Sequence, residues 1–176
     1  MKLMRGLLIA LAVLALLVVI GALLLPRTFV VTRQVQVAAP AATVYALVDD
    51  PREWKRWTVW NQRDPEMQMS YSGPPRGAGA GWAWQSASEG NGSMRFTAAE
   101  PGRRVAYELR VADTDAPSIG ELRFEPADGG TRVHWTMHGD AGSSLLFRWA
   151  GVFADALIGP DFAAGLANLR TEAEKG

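Results

Sequence analysis

The sequence predicts an α+β domain, an antiparallel sheet packed against a long C-terminal helix and preceded by one membrane-length apolar helix. Three observations predict it. An uncharged run, Gly6–Leu25, lies near the N-terminus. Short segments in which apolar and polar residues alternate fill the middle, separated by Gly, Pro and Asp turns. A stripe of apolar residues at helical spacing runs from Leu145 to Leu169. Without the first run, about 150 residues remain, enough for one domain with a full core.

The apolar run, GLLIALAVLALLVVIGALLL, holds twenty residues with no polar side chain. As a helix it spans about 30 Å, the thickness of a bilayer core. A cleaved signal peptide is the rival reading. Its apolar region is usually shorter, about 7–15 residues, and ends in small residues; here Ala22 is followed by Leu23-Leu24-Leu25-Pro26. A retained anchor fits better, with residues 1–28 as anchor and short linker and 29–176 as the domain. Lys2 and Arg5 precede the span, Arg27 and Arg33 follow it, and the N-terminus adds a charge. The positive-inside rule tilts towards N-terminus in and domain out, periplasmic at a bacterial inner membrane. Only Pro26, Arg27 and Thr28 separate the span from strand-like sequence, a reach of about 10 Å, so the domain is expected against the bilayer.

In VTRQVQV, Val31, Val35 and Val37 alternate with polar residues, a half-buried strand in which Arg33 is the misfit. Ala41–Val48 reads as a short helix. The stretch DDPREWKRWTVWNQRDP, 49–65, reads as a second helix, bounded by Asp-Pro pairs. Spacing of three puts Trp54, Trp57 and Trp60 on one side of that helix, within about 120°. Rings so placed cover a core, line a cavity or touch a membrane surface, where Trp beside Arg and Lys is favoured. A strand at Met67–Tyr71 and a Gly/Pro turn follow. Strands then read around Trp82-Ala83-Trp84, Met94-Arg95-Phe96, Val105–Val111, Leu122-Arg123-Phe124 and Val133–Met137, with a polar loop at Asp113–Pro117 and a hairpin turn at Asp128-Gly129-Gly130. The apolar face of this sheet needs a cover. The C-terminus provides one: Ser143 or Ser144 caps a helix carrying Leu145, Trp149, Val152, Phe153 and Leu157. Gly159-Pro160 is expected to break or kink it, with Asp161 capping the resumed helix.

Net charge is zero, which removes the electrostatic case for nucleic acid, and there is no cysteine, which removes disulfides, thiol catalysis and cysteine-based metal sites. His134 and His138 have zincin-like spacing, without the Glu and on a strand rather than a helix. Gly77-Ala78-Gly79-Ala80-Gly81 resembles a phosphate loop but leads into a strand, so the helix N-terminus that would hold the anion is missing. No catalytic constellation, metal site or cofactor is expected. Asp155 is expected to point outward with Arg148.

Three places resemble the polyketide cyclase/dehydrase and lipid-transport group of the START-like (SRPBCC, helix-grip) superfamily. They are VQVAAPAATVYALVDD at 35–50, the W-x-x-W-x-x-W run at 54–60 with Asp64-Pro65 after it, and DFAAGLANLR at 161–170 after the GTRVHW strand at 130–135. The resemblance covers about Phe29–Glu174. It implies a curved antiparallel sheet wrapped round the long helix and an apolar cavity for a hydrophobic small molecule or lipid. Some such proteins are enzymes, and the group has no universal catalytic motif to transfer. The residues expected to line the cavity are Trp54, Trp57, Trp84, Phe96, Tyr107, Phe124, Trp135, Trp149 and Phe153. Tyr107, inward by alternation, is the candidate hydrogen-bond donor to a ligand. The last helix, hinged at Gly159-Pro160, is expected to gate the cavity. Three classes follow: a hydrophobic-molecule binder at a membrane, a cyclase or dehydratase, and an interaction or stress module with a collapsed core.

Overall fold

The computed structural model describes residues 2–112, 114 and 116–175. Asp113 and Asp115, in the polar loop read at 113–117, lie outside the described residues. Helix α1 (Lys2–Leu24) is followed by strand β1 (Thr28–Val37) and three short helices, α2 (Ala41–Ala46), α3 (Trp54–Trp57) and α4 (Val59–Arg63). Strands β2 (Gln68–Ser72), β3 (Gly81–Ser86), β4 (Gly90–Glu100), β5 (Arg104–Val111), β6 (Ser118–Ala127) and β7 (Gly130–Asp140) come next. Helices α5 (Leu145–Val152) and α6 (Ala154–Ala173) close the chain.

The strands form one antiparallel sheet in the order β1-β7-β6-β5-β4-β3-β2. The meander β2 to β7 follows chain order, each strand pairing with the next, while the segment holding α2, α3 and α4 carries the chain from β1 at one edge to β2 at the other. A bulge between Phe96 and Ala98 interrupts the β4–β5 register, with Thr97 the extra residue. Such a bulge bends and twists the strand, which helps the sheet curl round α6. The concave face carries Val31, Val37, Phe96, Val105, Leu122, Val133 and Trp135, and α6 lays Phe162, Leu166 and Leu169 across it, all buried. This is the helix-grip arrangement, with an N-terminal helix whose segment Met4–Leu24 is apolar and long enough to cross a membrane.

Arg33 is not a misfit. It shares the inner register of β1 with Val31, Val35 and Val37, and its guanidinium reaches α6, where Nη1 and Nη2 donate to the Asp155 carboxylate at 2.7 and 3.1 Å. Nη2 also donates to the Asp155 main-chain oxygen at 3.3 Å. Gly159 makes room, since a Cβ there would sit 1.8 Å from Arg33 Nη2. Asp155 is exposed, as expected, but its partner is Arg33 on β1 rather than Arg148.

The expected break at Gly159-Pro160 is corrected: α6 runs through Pro160, and the bend of 60° falls between Val152 and Ala154. Proline removes one helical donor. The amide it lacks would have reached the Ala156 oxygen, yet the helix continues to Ala173. At Phe153, by contrast, the backbone leaves helical geometry (φ −100°, ψ 5°). The Asp161 cap is corrected with it, because Asp161 lies inside α6. Ser144 is the cap of α5, its hydroxyl accepting from the Phe147 amide at 3.3 Å. The tryptophan stretch is likewise two helical turns and not one helix, because Thr58 between them is extended (ψ 140°).

Candidate functional site: an apolar cavity under the tryptophan cluster

Trp54 and Trp57 are fully buried. Burying an indole leaves its N–H to be satisfied. Trp54 Nε1 donates to the Val48 oxygen at 2.8 Å and Trp57 Nε1 to the Leu47 oxygen at 2.9 Å. Both acceptors lie just past the C-terminus of α2, where carbonyls lack helical partners, so the two indoles tie α3 to α2. Trp54 is the hub: its ring lies 4.6 Å from that of Trp57, 5.1 Å from Trp82 and 5.9 Å, at 90°, from Trp135. Trp135 stacks on Phe162 of α6 at 3.9 Å and 11°. Edge-to-face and offset contacts of this kind add stability beyond area burial.

Beside this cluster lies a cavity of about 230 Å³. Its walls are Trp54, Thr58, Trp60, Asn61, Trp82, Trp84, Met94, Tyr107, Trp135, Met137 and Phe162. Met67, Met69, Glu89, Leu109, Val111, Ile158 and Asp161 complete the lining towards one end of the sheet. That end is where β1 begins, since Thr28 pairs with Asp140, Leu109 with Ser118 and Gly92 with Val111. The cavity therefore rises towards the same strand ends from which α1 leaves.

Inside, two buried polar side chains line the cavity: the Thr58 hydroxyl, which donates to the Trp54 oxygen at 2.9 Å, and Tyr107. The Tyr107 hydroxyl oxygen accepts from Trp135 Nε1 at 2.8 Å, which fixes the lone pair and leaves the O–H donor for a ligand. Burial pushes its pKa well above the ordinary range, so it stays a neutral phenol. It can donate a hydrogen bond but not serve as a base near neutrality. At the rim, Arg63 of α4 bridges two elements. Its Nη1 and Nη2 donate to the Asp161 carboxylate at 2.9 and 2.8 Å, and its Nε and Nη2 to the Glu89 carboxylate at 3.1 and 3.0 Å. Hydrogen bonding to Asp161 raises its pKa further, with Glu89 adding to the effect and burial opposing it. Trp60 Nε1 also donates to Asp161, at 3.1 Å. The β3–β4 hairpin, α4 and α6 are thus latched across the cavity.

Of the residues expected to line the cavity, Trp54, Trp84, Tyr107 and Trp135 do so. Trp57 and Phe96 are buried behind them in the core. Phe124 packs edge-on against Tyr45 under α2, at 5.9 Å. Trp149 lies against α1, its Nε1 donating to the Val18 oxygen at 3.3 Å. Phe153 sits at the α5–α6 bend with 57% of its surface exposed. Periodicity points both inward only if the apolar stripe is one helix, and the bend turns its first half away. The Met and Leu lining of β4, β5 and β7 is visible in the alternation. The Arg63–Glu89–Asp161 latch is not, because its members are 26 and 98 positions apart. His134 faces outward, 3.3 Å from Glu125, and His138 is exposed. No group of three or more metal-ligating side chains forms among the described residues.

The sequence profile of the family described as polyketide cyclase / dehydrase and lipid transport matches residues 28–174. None of the curated proteins matches. Solved structures share the fold. A protein from Thermobifida fusca is 24% identical with a TM-score of 0.62, over 83% of this chain and 93% of its own. One from Chromobacterium violaceum is 19% identical with a TM-score of 0.59, over 85% of this chain and 99% of its own. The di-domain ARO/CYC StfQ of the steffimycin biosynthetic pathway is 12% identical with a TM-score of 0.63, over 84% of this chain and 51% of its own.

Proposed function

The chain belongs to the polyketide cyclase / dehydrase and lipid transport family, and from that premise we propose that it is a single-pass membrane protein whose domain, residues 29–176, binds a hydrophobic small molecule or lipid. One observation carries the reading: a cavity of about 230 Å³ walled by aromatic, Met and Leu side chains, with the Tyr107 hydroxyl as its buried free donor. A dry apolar cavity of about 150 Å³ is enough for benzene, so this one suits a ligand roughly half as large again, or one segment of a longer chain. Burial of apolar surface supplies the affinity, and a carbonyl or ether oxygen on the ligand accepts from Tyr107. The anchor reading is supported by the apolar segment Met4–Leu24. Its side chains are exposed nearly throughout, as a lipid-facing helix requires.

The enzyme reading draws less support. A cyclase or dehydratase needs an inward group that changes protonation near neutral pH. Tyr107 is held neutral, and Asp161 and Glu89 are committed to Arg63. The test is native mass spectrometry of the full chain released from membranes. A co-purified apolar adduct lost in a Tyr107→Phe, Leu109→Trp double variant, which removes the donor and fills the cavity, supports the binder. An empty protein that takes up no apolar probe overturns it.

A further inference from the structure

We propose that the α5–α6 elbow is a second membrane contact. It inserts into the lipid next to α1 and turns the cavity rim to the bilayer, so the ligand is a molecule already dissolved in lipid that enters without crossing water. This rests on α1 spanning the membrane.

Helix α5 is bound to the last turns of α1. Arg148 Nη1 lies 3.3 Å from the Leu23 oxygen and 3.4 Å from the Ala22 oxygen, carbonyls at a helix end that lack internal partners. Trp149 lies close enough to α1 that a Cβ on Gly21 would meet its Cζ2 at 2.9 Å. Depth then follows from helix geometry. The Val18 oxygen, which holds Trp149 Nε1, is six residues before Leu24, about 9 Å along the axis. The apolar segment Met4–Leu24 has 21 residues, about 32 Å of helix against a hydrocarbon core of about 30 Å. A helix gripping α1 at Val18 through Leu23 therefore lies at the membrane boundary or below it, the depth that Trp and Arg favour.

The surface of the elbow matches that depth. Leu146, Val152, Phe153 and Leu157 are 75, 52, 57 and 65% exposed. Between Leu145 and Ile158 the charged residues are Arg148, turned to the α1 carbonyls, and Asp155, paired with Arg33. An uncovered apolar patch of this kind marks a contact surface. It is continuous with the exposed apolar side chains of α1, which makes lipid its occupant. Ile158, the residue after Leu157, already lines the cavity, and exposed Val111 stands on the same rim.

The chain has no cysteine, so single nitroxide labels can be placed in the full-length protein reconstituted in phosphatidylcholine vesicles. Labels at Leu146→Cys, Phe153→Cys, Leu11→Cys in mid-α1 and Asp128→Cys at the far sheet end are compared for collisions with oxygen, which partitions into lipid, and with a water-soluble nickel chelate. The proposal expects the oxygen-to-nickel ratio at 146 and 153 to exceed that at 128 severalfold. Water-like ratios at 146 and 153 beside a lipid-like ratio at 11 overturn it and leave the anchor standing. Shielding of 146 and 153 from both reagents means a protein covers the elbow, a second copy included, and also overturns it. A water-like ratio at 11 removes the anchor reading and this inference together.

Discussion

Gly120 of β6 faces the phenol of Tyr107, and a single methyl there tests the cavity. A Cβ at 120 would lie 2.0 Å from Tyr107 Cζ and 2.2 Å from its hydroxyl oxygen. That is about 1.5 Å short of the ~3.5 Å at which carbon atoms pack, so in Gly120→Ala the ring must lift off the sheet. Trp54 stands edge-on to it at 5.8 Å, and the free volume beside it is the cavity. A shift of that size carries the 2.8 Å bond from Trp135 Nε1 past hydrogen-bonding range. Overpacking costs about 1–3 kcal/mol, and an indole N–H left buried without a partner costs about 1–3 kcal/mol. A net loss of about 3 kcal/mol is expected. Urea unfolding of the detergent-solubilised protein, followed by near-UV circular dichroism, should show it as a midpoint lower by about 1–1.5 M, taking a slope of about 2–3 kcal/mol/M. Binding of an apolar probe should fall in parallel. Repeating the Gly120→Ala change in a Tyr107→Leu background isolates the cause, because the clashing atoms are gone and the cost of the added methyl should nearly vanish. An equal cost in both backgrounds refutes the argument.

Arg63→Met removes the latch at the rim; with Arg63 half-exposed the stability loss should be about 1 kcal/mol or less, while stopped-flow release of a bound apolar dye quickens severalfold. Trp57→Ala empties a fully buried indole site and strands the Leu47 carbonyl; it should cost about 3–5 kcal/mol, read by thermal unfolding. Asp49 is buried with Oδ1 unpartnered, and burial raises its pKa, with Arg76 opposing and Asp50 adding. A carboxyl raised in the folded state binds its proton more tightly there, so stability falls as pH climbs from the ordinary value, about 3.9, through the raised one. Asp49→Asn should therefore stabilise by about 1 kcal/mol at pH 7 and lose that advantage below about pH 3.5; an advantage independent of pH would count against burial as the cause.

Much of this architecture is legible in the chain. Period-two alternation marks the strands, because a sheet with one covered face must place its apolar side chains on every second residue. Its inward Val105, Tyr107, Val133 and Trp135 are where the alternation puts them. The apolar run at 6–25 announces a membrane-length helix by length and lack of charge alone. Of the three roles open to the tryptophan run, core is the one that Trp54 and Trp57 take first, and Trp54 adds a wall of the cavity.

Other features depend on residues far apart meeting in space. Arg33 is a misfit until Asp155 and the vacant side of Gly159 arrive on α6. Pro160 breaks a helix in isolation and fails to here, where α6 packs against β1 and continues to Ala173. The stripe from Leu145 to Leu169 reads as one helix because periodicity reports spacing and not direction. It is cut at Phe153, and the first half turns to α1, taking Trp149 out of the cavity and leaving Leu146, Val152, Phe153 and Leu157 uncovered. The cavity is of the same kind. Each lining residue can be named as apolar and inward, but the space left between them depends on how closely α6 and the tryptophan turns approach the sheet. That spacing is set by long-range packing, about which local pattern carries no information.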